Sequence, residues 1–347
     1  MNILHYIWSF NSGGAENMLI DIANQQISQN NVMVVVINKN YQNLLLKKFD
    51  SRIKIVLLNR HEGSRSLLPI VKLNLLPYNF HADIIHFHNG DSPQLLLPQI
   101  GRKVFMTIHC MNFPLQNAKR MNRLIAISKA VKDDVVSHGV DNVSIVYNGI
   151  HSYQILHKTN DIIRDTKPVI IVQVANITPH TKGQDILIKA ISILKKQGYN
   201  NFEAHFIGKG DAITELEEMA TKDGVNDQIV FHGSKDRQWI YSNLKEFDIM
   251  CHPARFEGFG LSVVEGMTAG IPVLVPNEGG PYEVIAKGKY GYTFEMENAN
   301  DCAGKLLYIA SHYRQARELA VKARQFAIDN YSITKTVELY ENIYKEF

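Results

Sequence analysis

Cysteine is scarce in this chain. Its three cysteines, Cys110, Cys251 and Cys302, are too few and too scattered for a disulfide framework, and no CxxC pair occurs. A reducing compartment is expected. No run approaches the roughly 18 apolar residues that a membrane span needs. The opening "ILHYIWSF" is apolar but short, and no basic region precedes it, so it does not read as a secretory signal. A cytoplasmic location is expected, with association at the inner face of a membrane as the alternative. Neither G-x-G-x-x-G nor G-x-x-x-x-G-K-[ST] occurs, which argues against a dinucleotide fingerprint and a P-loop NTPase. No dense arginine or lysine cluster carries interleaved aromatics, so nucleic acid is not an expected partner. No repeat with a period of about 20–50 residues appears.

What is present suits a soluble α/β protein. The length of 347 residues favours two domains, and the apolar share of 45% is ordinary. The net charge of +3 is unevenly spread: residues 1–160 hold 16 Lys and Arg against 9 Asp and Glu, and the remainder holds 21 against 25. A basic first half suits an anionic partner such as a membrane surface, or is simply a solvated lysine-rich face.

Short β-branched runs alternate with helix-period segments. "NILHYI", "VMVVVI", "IKIVLL", "DIIHFH", "KVFMTI", "RLIAIS" and "NVSIVY" read as strands of a first series. "VIIVQV", "FEAHFIG", "QIVFHG", "DIMCHP", "IPVLVP" and "YGYTFE" form a second. Continuous apolar strands separated by helices imply parallel sheets covered on both faces. The polar stretch "GIHSYQILHKTNDIIRDTKP" is the expected linker. Two Rossmann-like domains are expected at 1–155 and 168–330. A final helix, residues 331–347, is expected to cross back to the first, with Val337, Tyr340, Ile343 and Tyr344 on one side.

In such folds ligands bind where strands end and helices begin. Gly13 and Gly14 in "WSFNSGGAENML" would let a ligand approach the backbone at a helix start, or serve packing alone. Lys182 in "VANITPHTKGQDIL" adds a charge beside a helix start, which suits a diphosphate; a surface lysine before a helix reads equally well. Gly208 and Gly210 mark a further strand-to-helix turn, which by itself reads as structural. "PARFEGFGLSVVEGMTAGIPVL" places Glu257 outside a helix and Glu265 about two turns in. A carboxylate on so apolar a helix needs hydrogen-bond partners, and sugar hydroxyls are natural ones; a solvent-facing Glu265 is the alternative. His86 and His88 in "HFH" resemble metal ligands, but strand alternation is read as sending them to opposite faces, so no metal site is expected. Cys251-His252 is set aside for the same adjacency.

Glu257-Gly258-Phe259-Gly260-Leu261, ending at Glu265, resembles the E-x7-E motif of retaining glycosyltransferases of family 4. "GGAENML", "DIIHFHN", "TIHC", "AISKAVKDDV", "VYNGI", "ANITPHTKGQDILIKA" and "GGPYEVI" resemble further motifs of that family, in its order. The resemblance implies the GT-B fold, two Rossmann-like domains with parallel sheets facing across a cleft. It implies a hexosyltransferase-type enzyme that needs no cofactor and no metal. Lys182 would hold the donor diphosphate, Glu265 the ribose hydroxyls, and Glu257 would lie near the donor sugar. Phe259, Gly260 and Leu261 would offer backbone N–H groups to phosphate, with Gly13, Gly14 and Gly208 lining the donor site. His109 would lie near donor sugar and acceptor. Asn176 stands where the family often has arginine, leaving Lys182, or a substitute such as Arg255 or Lys209, to carry the charge.

The expected reaction moves a sugar from a nucleotide-diphosphate sugar to a hydroxyl of a glycan or lipid-linked acceptor. UDP is favoured as carrier and GDP is the second choice. The expected setting is bacterial polysaccharide, capsule or lipopolysaccharide synthesis, with an anionic membrane surface as a candidate partner. "LLLKKF" and "SRSLLPIVKLNLLPYNF" mix apolar and basic residues and would touch that surface; a core-facing helix with exposed lysines is the alternative. A sugar-nucleotide 2-epimerase of the same fold and a non-catalytic nucleotide-sugar-binding protein remain the other readings.

Overall fold

The computed structural model describes residues 1–11, 13–88, 92–99, 101–116, 118–159 and 168–347. Asn89 of the "DIIHFHN" motif and residues 160–167 of the expected linker lie outside the described residues. The chain divides into two compact units, Met1–Gly149 with Ile333–Phe347, and Ile150–Ser332.

The first unit runs β1 (Asn2–Ile7), α1 (Gly14–Gln26), β2 (Asn31–Asn38), α2 (Asn43–Leu46), β3 (Lys54–Arg60), α3 (Leu68–Asn79), β4 (Ile84–His88), β5 (Lys103–Ile108), β6 (Arg123–Ala126), α4 (Lys129–Ser137) and β7 (Val143–Ile145). Its seven strands pair in the order β3-β2-β1-β4-β5-β6-β7, each pair parallel. β-branched residues dominate these strands because both faces are covered. Ser128 caps α4 by accepting from the Val131 amide, as expected of serine at a helix start.

The second unit contains β8 (Val169–Val174), α5 (Pro179–Lys182), α6 (Gln184–Lys196), β9 (Phe202–Ile207), α7 (Ile213–Lys222), β10 (Ile229–Phe231), α8 (Arg237–Asn243) and β11 (Ile249–Cys251). It continues with α9 (Leu261–Thr268), β12 (Val273–Pro276), α10 (Gly279–Val284), β13 (Tyr292–Phe294), α11 (Ala299–Ser311) and α12 (Tyr313–Asn330). Its sheet, β10-β9-β8-β11-β12-β13, has the Rossmann order. The apolar stripe of α6, including Ile186, Leu187, Ile191 and Leu194, is buried in the sheet-facing core. Each such side chain stabilises the unit by about 1.5–3 kcal/mol.

The last helix, α13 (Ile333–Lys345), belongs to the first unit. Val337, Tyr340, Ile343 and Tyr344 are buried. Its tyrosines reach under the sheet: Tyr344 OH bonds His86 Nδ1, and Tyr340 OH lies 3.0 Å from Thr107 Oγ1. Among the described residues, no helix is long and apolar enough to cross a membrane.

Candidate active site

In the second unit the strand order reverses between β8 and β11, the point at which open α/β sheets bind ligands. The loops leaving these strands are tied together. The amides of Arg255 and Phe256 both donate to the Thr181 carbonyl, at 2.9 and 3.1 Å. Gln173, buried on β8, donates through Nε2 to the Lys182 carbonyl at 2.6 Å. These bonds fix the end of α5, and Lys182 Nζ reaches Glu257 Oε2 at 2.7 Å. His252 Nε2 lies 3.5 Å from the same oxygen. Burial alone would raise the Glu257 carboxyl. His252 and the Lys182 charge overcome it and hold the group down at about 2.

Glu257 leads directly into α9. Gly260 is the N-cap of that helix with φ +101, a conformation that side chains avoid, so glycine is required for the turn. Phe259 is buried edge-on against Tyr331, with ring centroids 5.5 Å apart, and anchors the loop from below. Leu261 opens α9, whose first amides point at the loop mouth as helix-start donors do. Glu265 sits half-buried one turn further on.

A cavity of about 540 Å³ is lined by Asn176, Thr178, Gly208, Lys209 and Gly233, with neighbours at the start of α7. Gly208 is needed here for close approach: a Cβ on it would lie 1.8 Å from the Ala175 carbonyl oxygen. Asn176 is exposed, its carbonyl accepting from Gln184 Nε2 at 2.9 Å. Of the two substitute cations, Arg255 is already neutralised. It grips Asp185 with two bonds of 2.8 and 2.9 Å and Glu297 with one of 2.6 Å. Arg255 is thus paired, as Lys182 is, whereas Lys209 is exposed in the cavity wall.

In the first unit, Gly13 caps α1 and Gly14 begins it. The Glu16 carboxylate lies over Gly13, while open space faces Gly14. His109 follows β5 directly. Burial lowers its imidazole to about 4, and its Nε2 is buried without a hydrogen-bond partner. Its ring centroid lies 6.0 Å from that of His88.

The expectation that His86 and His88 face opposite sides of their strand is overturned. Residues two apart on a strand share a face, and the two rings stack with centroids 4.4 Å apart. His5, opposite them on β1, completes a buried cluster in which one ring nitrogen of each histidine lies within 4.8 Å of the others, a spacing that could hold a metal ion. The cluster is internally hydrogen-bonded. His5 Nε2 meets Gln26 Oε1 at 2.8 Å and its Nδ1 meets His88 Nε2 at 3.0 Å. His86 bonds Tyr344 and Thr107. Burial is the first cause that lowers all three imidazoles, so they are neutral near pH 7.

Sequence reasoning set His252 aside and did not select Glu16. Each stands within five residues of a residue it did select, and within its own unit the fold brings His252 to Glu257 and Glu16 to Gly13.

The chain matches two family models. Residues 12–152 match "Glycosyltransferase Family 4" and residues 157–326 match "Glycosyl transferases group 1". Poly(ribitol-phosphate) α-N-acetylglucosaminyltransferase of Staphylococcus aureus is 25% identical over 232 residues, 66% of this chain; the chain spans 45% of that relative's length. The amylovoran biosynthesis glycosyltransferase AmsK of Erwinia amylovora is 26% identical over 288 residues, 76% of this chain and 70% of AmsK. Anabaena Alr3699/HepE, solved in complex with UDP, superposes with a TM-score of 0.84 at 20% identity, covering 100% of both chains.

Proposed function

The chain belongs to the glycosyltransferases, uniting the family 4 and group 1 halves of the GT-B fold, and from that premise we propose that it transfers a sugar from a nucleotide-diphosphate donor to an acceptor hydroxyl. UDP is the favoured carrier, since the structural relative Alr3699/HepE binds it. A glycan or lipid-linked acceptor in polymer synthesis is favoured because the S. aureus relative is named for transfer of N-acetylglucosamine to poly(ribitol-phosphate) and the E. amylovora relative for amylovoran biosynthesis. A lipid-linked acceptor would bring the enzyme to the inner face of a membrane.

The observation that carries this reading is the Lys182–Glu257 pair at the switch point, beside the start of α9. In the proposed reaction the bond between the anomeric carbon and the diphosphate breaks. The acceptor oxygen bonds to that carbon on the same face, and its proton passes to the leaving phosphate. Lys182, Lys209 and the α9 amides stabilise the charge that develops on the diphosphate. Glu265 takes the ribose hydroxyls and Glu257 the donor sugar. Asn176 donates a neutral hydrogen bond. Neutral His109 offers a hydrogen bond, not a charge, to sugar or acceptor. The test is a transfer assay with UDP-, GDP- and ADP-sugars, with and without acceptor, on Lys182→Ala and Glu265→Ala. Losing one phosphate-binding charge lowers the rate about 10²–10³-fold. Near-normal rates in both variants reject the assignment. Sugar release or rearrangement that ignores the acceptor favours an epimerase or hydrolase.

A further inference from the structure

α3 is apolar on two faces. Leu73 and Pro77 are buried against the first unit, and Tyr6 fixes the helix by donating to the Leu73 carbonyl at 2.6 Å. The opposite face is equally apolar and open to solvent. Leu68, Val71, Leu75 and Tyr78, spaced three and four apart, are 72%, 51%, 51% and 47% exposed. A helix that belongs wholly to the core, the alternative reading of this segment, would not leave that stripe uncovered.

The surroundings are basic. Between Glu62 and Asp83 the only charged side chains are Arg65 and Lys72. Asn74 ties α3 to the neighbouring loop through the Leu95 carbonyl at 2.9 Å and the Leu97 amide at 2.7 Å. Leu97 is 65% exposed and extends the stripe. Arg102 lies over the Tyr78 ring at 4.0 Å. Arg102 and Arg120 both line a groove of about 370 Å³ beside Leu97. Apolar side chains with Lys72 on the same helix and Arg102 and Arg120 beside them match the boundary of an anionic bilayer: acyl chains within, phosphates above. A second copy of the chain fits worse, because it would bring these cations together.

We propose that this face of the first unit docks on an anionic membrane. The α3 stripe and Leu97 enter the acyl boundary, and Arg65, Lys72, Arg102 and Arg120 meet lipid phosphates. The proposal extends the lipid-linked-acceptor reading but is tested without it. Vesicle binding needs neither donor nor acceptor, so it can fail while transfer stands, and the reverse.

The experiment is co-sedimentation of the full chain with sucrose-loaded phosphatidylcholine vesicles, with and without about one third phosphatidylglycerol. Binding is expected only with phosphatidylglycerol and is expected to weaken with salt. Leu68→Ser with Leu75→Ser should weaken it about tenfold per leucine. Lys72→Gln should weaken it about five-fold. Val321→Ser, also exposed but on the second unit, should not change it. Circular dichroism confirms that the variants remain folded. Three outcomes overturn the proposal: no binding to anionic vesicles at low salt, equal binding by the double serine variant, or self-association that the same variant abolishes.

Discussion

Glu257→Gln separates two roles of one carboxylate. In the ligand-free protein Glu257 neutralises Lys182 across 2.7 Å. At an effective dielectric of about 20 the gross attraction is about 6 kcal/mol, and desolvation offsets most of it. A diphosphate on the far side of the ammonium would stand about 5.5 Å from the carboxylate. Their repulsion is then about 1–3 kcal/mol per charge across the plausible dielectric range. Glutamine keeps the shape and removes that repulsion. UDP, which lacks the transferred sugar that Glu257 would contact, should therefore bind about tenfold tighter to the variant, while sugar transfer falls. The assay is isothermal titration with UDP at neutral pH and low salt. The same variant has an acid signature. The carboxyl is held at about 2 against an ordinary 4.5, so its pairing stabilises the fold above 4.5. That stability is lost as the pH falls through about 2. The stability gap between wild type and Glu257→Gln should close over that window. Unchanged or weaker UDP binding by folded Glu257→Gln would refute the reasoning.

Arg255→Gln should act on stability rather than on binding. It removes the two-bond partner of Asp185, which keeps Lys189 at 3.7 Å, and leaves Glu297 to solvent; unfolding in urea should show a loss of about 1–3 kcal/mol, with UDP affinity of the folded protein nearly unchanged. The buried histidines set a second pH dependence. His5 and His109 are lowered to about 4 from 6.5, so the unfolded chain binds protons first. Stability present above 6.5 should fall as the pH drops from 6.5 toward 4. A melting temperature that stays flat from pH 7 to about 4.5 contradicts this.

The thirteen strands among the described residues were legible in the sequence, because parallel strands buried on both faces leave continuous apolar runs such as "VMVVVI" and "VIIVQV". The stripe of α6 was legible for the complementary reason: one wet face and one dry face give a clear 3.6-residue period. α3 was not. With apolar residues on both faces it has no such contrast, and only accessibility separates Leu73 from Leu75. The histidine cluster was misread at the level of strand geometry, since i and i+2 share a face. Its third member, His5, lies 81 residues before His86 in sequence and is joined to it only by the pairing of β1 with β4. The pairing of Arg255 was not legible, because its partners, Asp185 and Glu297, lie 70 and 42 residues away. Within the candidate site, Lys182 and Glu257 could be selected by motif, but their direct contact depends on two loops meeting at the reversal of strand order.

The most direct test of the central claim is a crystal structure of the full chain soaked with UDP. The diphosphate is expected at Lys182 and the first amides of α9, with the ribose hydroxyls on Glu265. Diphosphate density away from the β8 and β11 loop ends, with Lys182 still paired only to Glu257, would contradict it.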